Sequence, residues 1–198
     1  MRVKKLIYMT ALLMVTFVSI VVLWATGLMG LWTEGIAFIA NNTTEFTSRN
    51  SQVIDGKYVL QVDLSDLESN IGKVIYKDNE HKIYVSWLQS RRVGEYDLGF
   101  RSIGTYSLSG ASLISGIHHE TINDHAFTYS MSAKMTVKYE DKTYHATESG
   151  QCGLNFKDGD CFSFNIYLST EPKGEPIKDA GIVEVMITDL YKNIWLKK

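Results

Sequence analysis

Phe127-Thr128-Tyr129-Ser130-Met131-Ser132-Ala133-Lys134-Met135-Thr136-Val137-Lys138-Tyr139 carries Phe127, Tyr129, Met131, Ala133, Met135, Val137 and Tyr139 at every second position. Successive side chains of a strand point to opposite faces, so this rhythm predicts a half-buried antiparallel strand. Working outward, Tyr58–Leu64 alternates in the same way, with Tyr58, Leu60, Val62 and Leu64 on one face. Val74–Tyr76 and Lys82–Trp87 flank Asp78-Asn79-Glu80, a hairpin signal. Tyr144–Thr147, Cys161–Leu168 and Ile182–Leu190 extend the pattern. One short helical turn is expected at Ser65–Asn70, where Ser65-x-x-Glu68 matches a capping box. No sustained helical periodicity follows residue 56, and no fixed repeat is visible. Residues 57–198 are therefore expected to form one mainly β domain, an antiparallel β-sandwich or partly closed barrel-like fold.

Upstream the chain changes character. Between Leu6 and Thr33 there is no charged residue, and about 20 apolar residues suffice to cross a hydrocarbon core. Residues 6–32 are read as one N-terminal transmembrane helix, and residues 1–5 as a basic cytoplasmic tail. Thr10, Thr16 and Ser19 interrupt the segment, but hydroxyls can bond back to helix carbonyls. Arg2, Lys4 and Lys5 favour an inside N-terminus, which places the C-terminal domain outside. Trp24 and Trp32 fall near the outer boundary, where indoles prefer the headgroup layer. The alternative is a signal peptide cleaved after Ala25-Thr26-Gly27, leaving a secreted domain; the long apolar core argues for an uncleaved anchor. Residues 33–56 read as a linker with a possible short helix over Glu34–Ala40 capped by Thr33. Asn41 and Asn42 both open N-x-Thr triplets and are taken as linker residues.

Charge narrows the partners. No acidic residue precedes Glu34, and removing the three N-terminal cations from the chain's 20 leaves 17 basic residues against 22 acidic ones. A mildly acidic domain lacks the clustered Lys and Arg that nucleic acid requires, and Arg91-Arg92 is too small a cluster. The membrane, and a protein or glycan partner, remain.

Cys152 and Cys161 are the only cysteines. Outside the cytoplasm an even pair reads as a disulfide. Asp158-Gly159 competes, because a two-residue turn there pairs Phe156 with Cys161 and strands Cys152. A disulfide closing a wider loop over Gly153–Asp160 is the expectation.

The candidate chemistry is thin. His118, His119, Glu120, Asp124 and His125 offer nitrogen and oxygen ligands for a divalent metal. Their spacing fails the H-E-x-x-H pattern, since Asn123 stands where the second histidine belongs. The bland reading is a polar loop between strands. Gly110-Ala111-Ser112-Leu113-Ile114 lacks the closing glycine of a nucleophile elbow. The Ser/Gly-rich stretch 102–116 reads as a loop or weak strand, a place where binding function is often carried. Trp87, Tyr96, Phe100 and Tyr106 could stack a ligand, or serve as cross-strand packing, the commoner use of aromatics in β cores. No cofactor is implied. The expectation is a membrane-anchored extracytoplasmic binding module; the alternative is an extracytoplasmic enzyme, hydrolytic or metal-dependent, built on His118–His125.

Overall fold

A computed structural model describes residues 2–123, 126–169, 177 and 181–198. It is mainly β, with antiparallel sheets, one long N-terminal apolar helix and no closed barrel among the described residues. The first helix, α1 (Arg2–Ala25), contains the apolar run Ile7–Ala25, long enough to cross a membrane and wholly unburied by the rest of the chain. Its hydroxyls bond back as the sequence suggested: Thr16 Oγ1 donates to the carbonyl oxygen of Leu13 (2.9 Å) and Ser19 Oγ to that of Val15 (2.8 Å). Two short helices follow, α2 (Leu28–Glu34) and α3 (Ile36–Asn41).

The strands come next in chain order. β1 (Phe46–Ser48), β2 (Gln52–Val53), β3 (Tyr58–Asp63) and β4 (Val74–Lys77) lead into two long strands, β5 (Lys82–Arg92) and β6 (Glu95–Ile103). β7 (Thr105–Ser107), β8 (Gly110–Ser115), β9 (Ile117–Asn123) and β10 (Ala126–Met131) form the middle of the chain. β11 (Lys134–Tyr139), β12 (Lys142–His145), β13 (Thr147–Gln151), β14 (Cys161–Tyr167), β15 (Ile182–Thr188) and β16 (Tyr191–Lys197) complete it.

Two sheets make the sandwich. One runs β13-β14-β6-β5-β4, the other β12-β11-β15-β3. Val62, Met135, Val137, Val183, Val185 and Ile187 from the second share a core with Val85, Leu98, Phe100, Phe162 and Phe164 from the first. Those of the second sheet are the alternate positions that the period-two rhythm assigned to one face, and water exclusion around the shared core drives the stacking.

A third sheet, β1-β16-β8-β7 with β2 also on β16, carries a second core. There Leu31, Ile36, Ile39 and Ala40 of α2 and α3 bury against Phe46, Ala111, Leu113 and Trp195. Residues 33–56 are thus part of the domain, where the sequence suggested a linker. The short helix expected over Glu34–Ala40 forms as α3, one face of it Ile36, Ile39 and Ala40; the polar Asn41–Thr44 run concealed that this face packs on the third sheet. Thr33 caps nothing; its Oγ1 donates back to the Met29 carbonyl at 2.9 Å. The break between α2 and α3 is Gly35, at φ 61° and ψ −125°, and the next amide, Ile36 N–H, donates to the Lys157 carbonyl at 2.8 Å. A Cβ on Gly35 would lie 2.0 Å from that same oxygen, so only glycine fits.

Two further expectations shift. The alternation over Phe127–Tyr139 is continuous, yet the strand divides at Ser132-Ala133, whose amides both donate to the Gly116 carbonyl. β10 pairs only with β9, whereas β11 joins the sandwich. Alternation fixes faces and carries no information about which sheet a strand joins. At Ser65–Asn70 a 3-10 turn forms over Glu68–Asn70, but Ser65 Oγ donates to Asp63 and no capping box closes.

Candidate functional site

Cys152 and Cys161 are bridged, with Cα atoms 5.3 Å apart. The Cys152 amide also donates to the Cys161 carbonyl at 3.1 Å, so the two residues close a small loop from both sides. The competing turn sits one residue earlier than Asp158-Gly159. Phe156 bridges to Gly159, around Lys157 and Asp158, a register that would set Leu154 against Cys161; the cysteines face each other in the β13–β14 register instead, where Gln151 pairs with Phe162. Asp158 is tied down by Arg101, whose guanidinium also lies 3.5 Å from the centre of the Phe156 ring.

The stretch expected as a polar histidine loop is the β9–β10 hairpin, and its residues diverge. His118 is half-buried and stacks on Tyr191, ring centres 4.0 Å apart. His119, one residue on, is wholly buried. Neighbours on a strand face opposite sides, so the two imidazoles cannot meet on one ion. Glu120 is exposed, and Asp124 and His125 lie outside the described residues. No group of three His, Cys, Asp or Glu able to hold a metal occurs among the described residues.

His119 instead anchors an interior polar cluster. Its Nε2 lies 2.7 Å from Asp160 Oδ2, and Ser115 Oγ stands 2.8 Å from both oxygens of the same carboxylate. Ser115 Oγ accepts from the Ile117 amide at 3.0 Å. Asn193 ties the cluster to β16, accepting from the His119 amide (2.7 Å) and donating to the Ile117 carbonyl (2.8 Å). His119, Asp160, Ser115 and Asn193 are all 0% exposed. Burying a carboxylate is tolerable only with such a set of donors around it. The serine proton points to the carboxylate, so imidazole and hydroxyl have no contact through which a proton could be drawn off the oxygen. The cluster is a structural pin joining β8, β9, β14 and β16.

The candidate aromatics separate too. Phe100 and Tyr96 are buried in the sandwich core, Phe100 stacking on Phe162 with ring centres 5.4 Å apart. Trp87 lies over Gly99, where an added Cβ would collide with the indole at 1.9 Å. Tyr106 alone of the four is exposed, at the edge of the third sheet. They form no common groove.

Concave sites among the described residues include three grooves. A groove of about 450 Å³ opens at the corner where the chain passes from β12 to β13, with Met135, Met186 and Phe164 as its apolar floor and Lys134, His145 and Glu148 at its polar rim. A second, of about 480 Å³, lies where α1 meets α2, between Trp24, Phe38, Glu34 and Glu45. The third, about 280 Å³, lies over β7, β8 and β16. Comparison with family models, curated proteins and solved structures finds no match.

Proposed function

We propose that this chain is a membrane-anchored interaction module, holding its β domain on the extracytoplasmic face to bind a protein or glycan partner. The observation that carries the reading is the helical clamp. Ile36 and Ile39 are 0% exposed in the second core, so the domain is seated directly on the end of α1 with no free tether. Trp24 and Trp32, 76% and 73% exposed, flank that seat and suit the headgroup layer. The cationic residues in the first turns of α1 favour an inside N-terminus, and the bridged cysteines suit an oxidising space. The groove at the β12–β13 corner, with an apolar floor and a few charged groups at its rim, has the make-up of a ligand site.

Two measurements test this. A reporter cysteine replacing exposed Val59 is expected to react with a membrane-impermeant maleimide on intact cells, and one replacing Lys4 is not. The reverse pattern overturns the topology. A photo-crosslinking residue at Met186, in the groove, is expected to capture a discrete partner that the same residue at Val59 does not. Equal capture at both positions removes the groove from the proposal.

A further inference from the structure

Ser112, on the wall of the third groove, belongs to an arrangement of side chains that the interaction reading does not use. His81 precedes β5 with its side chain 1% exposed. Its Nδ1 lies 3.0 Å from Asp78 Oδ2, and its Nε2 lies 2.8 Å from Ser112 Oγ. With the carboxylate on Nδ1, the imidazole carries its proton there, and Nε2 is left as the acceptor of the Ser112 hydroxyl proton. This is the order carboxylate–imidazole–hydroxyl that activates a serine, and it is the reverse of the His119 cluster, where the carboxylate separates hydroxyl from imidazole.

Asp78 is itself firmly placed. It accepts from the amides of Glu80 (2.7 Å) and His81 (2.6 Å) and from the Tyr76 hydroxyl (2.8 Å). Burial pushes its carboxyl upward, but these bonds and the one to the His81 ring hold it well below the ordinary carboxylate range.

Ser112 lines the groove and is only half-buried. Its register partners are Thr105 on β7 and Ile194 on β16, whose side chains share its face with Cβ atoms about 5 Å away. Along β8 the next residue on that face is Gly110, which also lines the groove. A Cβ at Gly110 would meet the Trp195 carbonyl at 2.1 Å, so only glycine lets β16 approach there. Ile194 and Leu196 give the groove an apolar wall, while Thr105 and Ser107 give it a hydroxyl edge.

We infer that Ser112 is a nucleophile, His81 its general base and Asp78 a positioning residue, and that the groove takes a small carboxylic ester with a short acyl chain. A volume of about 280 Å³ lies just below the usual range for ligand sites and gives contact to a short acyl chain only. Ser112 Oγ bonds to the ester carbonyl carbon as its proton passes to His81 Nε2. The carbon–alkoxide bond then breaks and His81 returns that proton to the departing alcohol, leaving acyl-Ser112. Water gives a proton to His81, bonds to the acyl carbon and expels Ser112 Oγ, which regains the proton; the products are acid and alcohol.

The test is phosphonylation of the full chain in detergent by a short-alkyl fluorophosphonate, followed by intact mass and peptide mapping. One adduct is expected, on Ser112, and none on Ser112→Ala. The labelling rate is expected to fall at least about 100-fold in His81→Gln and at least about 10-fold in Asp78→Asn, with partial recovery in Asp78→Glu. Thermal melts accompany each variant, and Asp78→Asn carries the test if His81→Gln does not fold, because that carboxylate is 39% exposed. Wild-type labelling no faster than in Ser112→Ala overturns the inference, and so does a Ser112 label that forms at an unchanged rate in Asp78→Asn.

Discussion

The molecule contains two clusters of one aspartate, one histidine and one serine, and they differ in order and in depth. In the interior cluster Asp160 receives both Ser115 and His119, and every member is sealed from water. In the groove cluster His81 stands between Asp78 and Ser112, and both ends reach the surface. The same three residue types therefore make a pin in one place and a proton path in the other. Composition cannot separate the two; the identity of the middle residue does.

The sharpest way to break the contrast is to remove each carboxylate. Asp160→Ala leaves His119 and Ser115 facing a void in the interior, and removing one partner of a buried pair costs about 3–5 kcal/mol. Asp78→Ala, at the surface, is expected to cost far less. Urea denaturation of the two variants checks the ranking, and equal losses would erase the distinction. The disulfide beside Asp160 comes next. Replacing Cys152 and Cys161 together by serine is expected to lower stability by about 2–3 kcal/mol in the chain-entropy account, read from the same curves.

The serines give a smaller and opposite pair of effects. Ser115→Ala withdraws a donor from a buried carboxylate, at about 1–3 kcal/mol, and leaves fluorophosphonate labelling intact. Ser112→Ala is expected to abolish labelling with a melting temperature close to wild type. A Ser115→Ala variant that loses labelling, or a Ser112→Ala variant that melts much earlier, would mean the roles have been assigned the wrong way round.

Acid supplies the gentlest probe. Asp97 is pushed upward by burial, yet Arg91, Ser149 and Gln89 hold it below its ordinary value, as the bonds to Asp78 do there. A carboxyl whose folded value is depressed contributes stability above its unfolded value, near 4, and loses it as pH falls toward the folded one. Melting temperature is thus expected to drop between about pH 4 and pH 2, and Asp97→Asn is expected to flatten that limb.

Much of the frame was legible in the sequence, and the sites were not. The sandwich strands declare themselves because Val62 and Val137 alternate with polar neighbours, and the apolar span is evident from length alone. The short helix over Ile36–Asn41 was legible, but its burial against Trp195 and Leu113 was not, because those partners lie far along the chain and a polar run follows the helix. The His81 pairing could not be read from a motif. Asp78-x-x-His81 is local, but Ser112 lies 31 residues beyond His81 and sits mid-strand, with no elbow to mark it. Of the metal candidates, His118 and His119 face apart because they are neighbours on a strand, and Asp124 and His125 lie outside the described residues.

The third sheet closes with a pairing between β1 and β16, Phe46 opposite Lys197, which joins the region just after the helical clamp to the far end of the fold. Loop closure over so long a stretch is slow, and contacts of that separation form late. Until β16 arrives, Ile36, Ile39 and Phe46 have no Trp195 to cover them. The part of the domain nearest α1 is thereby the last to consolidate, and its exposed apolar residues form the window in which the nascent chain is most open to aggregation or to a chaperone.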